Sequence, residues 1–331
     1  MKAKPIAINW DPGMPFYASE YFLKTVGDEY GWLGGFTESG ELRCILPYTI
    51  IRKAFFRLVR FRVETIPRGE GLDVKEEKAF LNSAIEYFRS MGADMIIPAS
   101  TNTIFRTYPD GAIAAPYGTY IIDLNQPEDV LWSNLSTAYR KKIRNSLKKG
   151  VIIRSGIEYL DISYDLICDT LKRSSLKFMS YEALKRFVLG LNENVKIFVA
   201  DYQGTIHGCT IFPFSIYSAY SLYGGRIPEA DTGAMNLLNW EAIRQFRELG
   251  VKRFDFMGVR INPDVGSKQE GIMIFKQRFG GQLHQGYIWK YSIHPLKYRL
   301  YCLAVRLRRG GDIVDAEYHK LRSLGTDNRL I

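Results

Sequence analysis

The chain has 331 residues, enough for one large or two ordinary domains, each able to bury its own core. With 46% apolar and 24% charged residues it has the makeup of a globular protein, which excludes extended disorder. The 45 Lys and Arg against 35 Asp and Glu leave a formal charge of +10, which favours a polyanionic partner: RNA, a phosphorylated substrate or an anionic membrane surface.

Residues 31–36 and 42–47 read as two strands joined by a turn at Glu38-Ser39-Gly40, and 55–63 as a strand made cationic by Arg57, Arg60 and Arg62. Asp73 is placed to cap a helix whose Phe80, Leu81, Ala84, Ile85, Phe88 and Met91 recur at helical spacing. Gly92 stops that helix, and 94–98 follow as a buried strand. The same unit returns later: Ala84-Ile85-x-x-Phe88-Arg89-x-x-Gly92 is matched by Ala242-Ile243-x-x-Phe246-Arg247-x-x-Gly250, and a strand follows each glycine. This repeat predicts two related domains.

Between the copies, 119–124 is a strand and Asn125-Gln126-Pro127-Glu128-Asp129 starts a helix expected to run unbroken to Lys149 and Gly150. Leu135, Tyr139, Ile143 and Leu147 share its apolar face, while Arg140, Arg144 and Lys148, reinforced by Lys141, form a ridge. No acid interrupts the span from Arg140 to Arg154, so the ridge is a candidate phosphate-binding stripe; an ordinary solvated face is the competing reading. Helices at 165–176 and 181–189 lead to strands at 195–201 and 208–214 around a turn at Tyr202-Gln203-Gly204. A strand at 218–223, broken by Gly224-Gly225, precedes a helix at 235–249. That order is the mixed α/β order of a GNAT-type acyltransferase.

Near the C-terminus, Leu296, Leu300, Leu303 and Leu307 form one helical stripe flanked by Lys297, Arg299, Arg306 and Arg308. It fits either contact with an anionic membrane or, the simpler reading, a helix docked back on the first domain with its cations in water. Cys44, Cys168, Cys209 and Cys302 lack C-x-x-C spacing, so no metal site or disulfide framework is expected. No Ser/His/Asp or Cys/His arrangement is readable. With no apolar run of the roughly 18 residues a spanning helix needs, the expected location is the cytoplasm, with any membrane contact peripheral at its inner face.

Several segments resemble the FemABX family in order and spacing. They are Tyr139-Arg140-Lys141-Lys142-Ile143-Arg144-Asn145-Ser146-Leu147-Lys148-Lys149-Gly150-Val151, Leu222-Tyr223-Gly224-Gly225, residues 237–243, Phe254-Asp255-Phe256-Met257-Gly258, and Gly271-x-x-x-Phe275-Lys276-x-x-Phe279-Gly280. The resemblance spans about residues 119 to 290. It implies two tandem GNAT-like acyltransferase domains with mixed sheets: 1–123 plus 291–331 holding the acceptor, and 124–290 catalytic. It also implies the compact class, since the chain has no room for the long helical arm of larger members.

By the same resemblance the protein is an aminoacyltransferase that moves an amino acid from aminoacyl-tRNA to an amine of a peptidoglycan precursor, a UDP-linked or lipid-linked muropeptide. Such aminolysis needs no resident cofactor; it needs orientation and a charge for the tetrahedral oxyanion. Lys276, matching the lysine of the family's Phe-Lys motif, is the candidate for that charge, or for holding the phosphate or 3′-terminal adenosine of the tRNA. By spacing alone it would be a surface residue of a helix whose Ile272, Phe275 and Phe279 face the core.

Lys177 and Tyr181 occupy the place of an Arg and Tyr pair that binds acceptor, and Tyr223 that of a cleft tyrosine; with Phe275 these are the substrate-binding candidates. Lysine at 177 gives up bidentate phosphate geometry. Arg140, Lys141, Arg144 and Lys148 are the candidates for tRNA phosphate. Asp255 is expected to fix a turn rather than to act as a base.

The alternative is an acyl-CoA-dependent GNAT N-acyltransferase acting on a cell-envelope or polysaccharide substrate, using acetyl-CoA or another acyl-CoA. It would hold pyrophosphate at the start of the helix near Thr232 with an Arg/Gln-x-x-Gly-x-Gly/Ala loop. Residues 226–234 carry two acids and lack that spacing.

Overall fold

The computed structural model describes residues 1–69, 71–99, 103–231 and 233–323; Thr232 and the last eight positions of the expected first domain, 324–331, lie outside them. The first half contains β1 (Lys2–Ile6), α1 (Glu20–Val26), β2 (Glu29–Phe36), β3 (Leu42–Lys53), β4 (Phe56–Phe61), β5 (Ile66–Pro67), α2 (Val74–Ser90), β6 (Met95–Ile96) and β7 (Ile113–Asp123). There follow α3 (Glu128–Asn134), α4 (Thr137–Lys149), β8 (Ile152–Ser155), α5 (Leu160–Lys172), α6 (Tyr181–Gly190), β9 (Val195–Tyr202), β10 (Thr205–Pro213), β11 (Ala219–Tyr220) and β12 (Tyr223–Arg226). The chain then forms α7 (Ala234–Glu248), β13 (Arg253–Val259), α8 (Lys268–Gln277), β14 (Gln282–Ser292), α9 (Pro295–Arg309) and α10 (Ile313–Ser323).

The sequence repeat is a repeat of structure. Helix α2 connects β4 to β6, and α7 connects β11 to β13; both strand pairs are parallel while their surroundings are antiparallel. Ala84, Ile85 and Phe88 are buried, as are Ala242, Ile243 and Phe246. Both helices end in the same Schellman cap. Gly92 and Gly250 adopt left-handed φ values of 72° and 75°, their amides bond to Arg89 and Arg247, and the next amides reach back to Phe88 and Phe246.

The largest sheet runs β1-β2-β3-β4-β6-β14-β7-β13-β11, with β5 on β3; a second runs β12-β10-β9-β8. The middle of the large sheet is an exchange. Strand β14, which ends the second half, lies next to β6 of the first, while β7, which ends the first, lies next to β13 of the second. The two long strands also pair with each other from Gln282↔Ile121 to Lys290↔Ile113. A division at 290/291 therefore falls inside β14. One hydrophobic cluster joins the halves, packing Tyr17, Phe22 and Trp32 with Leu191, Tyr220 and Met257.

Four details differ from the sequence reading. The single helix expected to reach Lys149 is two helices: Leu135 is extended and Ser136 caps α4, accepting from the Tyr139 amide. Leu147, expected on the buried face, is 54% exposed. Gly224-Gly225 does not break a strand but forms the middle of β12, where Gly225 lies against the backbone of Leu166 and Ile167 in α5. Finally, α9 docks through half-buried Tyr298, Tyr301, Cys302 and Val305, which leaves its leucine stripe in solvent. No helix among the described residues is long and apolar enough to cross a membrane.

Candidate active site

The site begins with an irregularity in β13. Opposite β7, Asp255 pairs with Ile121 but Gly258 with Thr119, so an extra residue is accommodated between them. Met257 absorbs it with a φ of 65°, a left-handed conformation that costs a non-glycine residue on the order of 1 kcal/mol or more. Asp255 holds the bulge from inside the chain: its Oδ1 accepts from Thr119 Oγ1 at 2.5 Å and from the Met257 amide at 2.7 Å. Burial raises the pKa of this carboxyl, against the pull of Thr119, the Met257 amide and Lys276. Its turn-fixing role is the one the sequence suggested.

Lys276 reaches the bulge from α8, a helix capped by Ser267. It is not on the surface; only 8% of it is exposed. Its Nζ donates to the carbonyls of Met257 at 2.8 Å and Gly258 at 2.7 Å. An ammonium has three donors, and the described residues take two, so one remains for a ligand. Burial lowers its pKa to about 8, with Asp255 acting in the opposite direction. A lysine poised this way lies within reach of either protonation state near neutrality.

Asp255 and Thr119 also line a cavity of about 250 Å³ whose wall includes Glu64, Glu77, Arg106, Tyr217, Arg253 and His284. Arg253 stacks on the Tyr217 ring at 3.8 Å. Burial pushes Glu64 up to about 7, partly offset by Arg253. Both signs of charge thus meet in one small cavity lined by residues of both halves. A larger cavity of about 790 Å³, lined by Trp10, Tyr21, Lys24 and Asn192, shares no lining residue with this one.

The remaining candidates occupy three different settings. Phe275 packs with Tyr139, Phe256 and Phe279 against the core of the second half, so its ring is largely a packing element. Tyr223 on β12 meets Phe178 edge to face at 4.9 Å and faces the charges of Arg60 on β4 and Arg62 just after it. Tyr181 donates to Asp161 and packs on Tyr164, while Lys177 is exposed on the loop between α5 and α6. Lys268, at the start of α8, is joined to Ser174 of that loop. The loop thus links the helix of Lys276 to the strand of Tyr223.

On α4 the ridge divides. Arg140 donates to the carbonyls of Ser133 and Leu135, closing the end of α3, and Arg144 lies over Trp132 at 5.4 Å. Lys141 and Lys148 stay exposed. At the start of α7, Asp231 accepts from Ser146 at 2.6 Å, Lys149 at 2.5 Å and the Gly233 amide at 2.9 Å. Burial opposes its ionisation, but these partners hold it down to about 2.

Sequence reasoning missed Glu64, Arg253 and Tyr217, which stand in unremarkable strand and loop contexts and meet only through tertiary packing. Among the described residues there is no cluster of His, Cys, Asp and Glu able to hold a metal ion.

Residues 210–306, which include Tyr223, the Asp255 bulge and Lys276, match the FemAB family. The match is to that stretch of the chain alone. The crystal structure of FemX is similar at a TM-score of 0.67 and 16% identity, covering 91% of this chain and 99% of FemX. The C-terminal domain of a putative lysylphosphatidylglycerol synthetase from Agrobacterium fabrum is similar at a TM-score of 0.54 and 13% identity, covering 88% and 93%. A Bacteroides thetaiotaomicron protein of unknown function is similar at 0.53 and 14%, covering 87% and 93%. At these identities the likeness is one of fold, and the fold is two GNAT-like units in tandem. No curated protein sequence matches.

Proposed function

We propose that the protein transfers an amino acid from aminoacyl-tRNA to an amine of a peptidoglycan precursor or a related peptide. The observation that carries this reading is Lys276, a buried ammonium with one free donor, set on a strained bulge whose Asp255 lines a two-sign cavity. The neutral acceptor amine attacks the ester carbonyl, a C–N bond forms, and the ester C–O bond to the tRNA ribose breaks. The amine loses a proton and the ribose oxygen gains one. Lys276 offers its free N–H to the oxyanion or to a tRNA phosphate, and Glu64, near 7, is suited to relay the proton.

Aminoacyl-tRNA is a co-substrate here, and no resident cofactor is required. Asp231 supports this over an acyl-CoA donor, because the chain's own carboxylate already occupies the anion position at the start of α7. In the same reading Lys141 and Lys148 meet tRNA phosphate, Lys177, Tyr181, Tyr223 and Phe275 contact or shape the acceptor side, 124–290 is the catalytic domain, and 1–123 with 291–331 holds the acceptor. The deciding experiment incubates the protein with a charged tRNA pool and UDP-linked or lipid-linked muropeptides and weighs the products. A mass gain of one amino-acid residue on the acceptor supports the proposal; a gain only with acyl-CoA overturns it.

A further inference from the structure

Helix α9 carries two apolar faces, and the fold uses one. Tyr298, Tyr301, Cys302 and Val305 face the protein, with Tyr301 edge to face on Phe56 at 5.6 Å. On the other side Leu296, Leu300, Leu303 and Leu307 are 68%, 54%, 55% and 81% exposed. At 100° per residue these four leucines fall in a narrow band, with Arg299 and Arg306 along one edge and Arg308 along the other. All three arginines are exposed.

A second element, distant in sequence, adds to this face. The β3–β4 hairpin turns at Ala54 with a φ of 52° and presents Phe55, which is 61% exposed. Its tip lies beside α9, since Lys297 donates toward the Phe55 carbonyl at 3.5 Å and Phe55 stacks on Phe56. Exposed Lys53 sits next to it. A phenylalanine on a hairpin tip and a leucine stripe on a helix therefore reach solvent together.

The charge around this face has one sign. No acid occurs between Glu270 and Asp312 in the sequence. The nearby acids are already engaged: Asp94 pairs with Lys297, and Asp312 and Asp315 pair with Lys290. A contiguous apolar band edged by cations on a helix lying flat on the protein is the pattern of an interfacial helix.

We propose that α9 and the Phe55 hairpin tip dock the protein on an anionic phospholipid surface, with the leucines and Phe55 among the acyl chains and Arg299, Arg306 and Arg308 at the headgroups. This goes beyond the transfer reaction and does not depend on it. Vesicle binding needs neither charged tRNA nor acceptor, so either idea can fail alone.

The test is co-sedimentation of the full chain with vesicles of phosphatidylcholine alone or mixed with phosphatidylglycerol, across a salt series. Binding is expected only with phosphatidylglycerol and should weaken as salt rises. The pair Leu300→Ser and Leu303→Ser should weaken it by at least about tenfold, and Arg299→Glu, Arg306→Glu and Arg308→Glu together by at least about a hundredfold. Because these side chains are exposed, the melting temperature should not move; Phe55→Ser supplies an independent variant on another element. Equal binding to both vesicle types, or unchanged binding by the leucine pair, overturns the proposal. So does a dimer in sedimentation equilibrium that the leucine pair disperses while vesicles bind nothing, which assigns the face to a second copy of the chain.

Discussion

The Nζ of Lys276 donates to the carbonyl of Met257, a residue held at a φ of 65°. One side chain thus both pins the strained bulge and sets a cation beside it. Lys276→Ala should lower single-turnover transfer by at least about a hundredfold, the scale seen on removing one oxyanion donor. It should also cost about 1–3 kcal/mol of stability, because two carbonyls lose their partner. Quench-flow assays and thermal melts would read the two effects separately, and undiminished turnover would remove Lys276 from the mechanism.

The pH response of Lys276 has opposite signs for stability and turnover. Its folded pKa is about 8 against an ordinary 10.5, so between those values the unfolded chain holds a proton that the folded chain has released. The lysine's contribution to stability therefore rises from pH 8 to pH 10.5 and is at its least favourable below 8. Transfer that depends on the ammonium should instead fall above pH 8. A rate that stays flat through this range would mean that Lys276 works uncharged or not at all.

Glu64 should destabilise the protein once ionised. With a folded pKa of about 7 against 4.5, its contribution is most favourable below 4.5 and is lost as pH rises through 7. Glu64→Gln should accordingly gain up to roughly 3 kcal/mol relative to the parent at pH 8 and little at pH 4. Urea titrations at both pH values provide the check; an equal gain at each would show that ionisation is not the cause.

Adjacent glycines in β12 should respond differently to alanine. A Cβ on Gly225 would collide with the backbone of Leu166 and Ile167, whereas on Gly224 it meets its nearest neighbours, the Cys209 carbonyl and Thr210 Oγ1, at 3.5 Å. Gly225→Ala should cost about 3 kcal/mol or prevent folding, and Gly224→Ala less than about 1 kcal/mol. Comparable melting temperatures for the two would contradict the close approach of α5.

The cations of α4 should separate by role. Lys141→Ala with Lys148→Ala should weaken tRNA binding and reduce its salt slope by roughly one per lysine, without altering the melt. Arg140→Ala should lower stability by about 1 kcal/mol through the exposed carbonyls of α3. Filter binding over a salt series distinguishes them.

The parts of the molecule legible in the sequence were those written locally. Asp73, Gly92 and Gly250 specify caps by their own side chains or freedom of φ and appear as read, while the return bond from Glu76 that completes the Asp73 capping box is added by the structure. The break at Ser136 was hidden because the apolar spacing continues through it; the new cap also depends on the Arg278 carbonyl, far along the chain, which accepts from the Ser136 amide. Gly224-Gly225 looked like a break because strand glycines usually are, yet here they admit a neighbouring backbone. The Phe-Lys motif located Lys276, but its burial follows from the bulge at Met257. That bulge needs Thr119 as well as Asp255, and such a pairing has no local signature.

The exchange of β7 and β14 also bears on how the chain is made. The first half cannot complete its sheet until residues 282–292 arrive to lie between β6 and β7. Until then the edge of β6 is open, and β7 waits for partners separated from it by most of the second half. Contacts of such sequence separation slow folding. A nascent chain halted after Asp123 should therefore expose unpaired strands, and isolated halves should be soluble only when produced together.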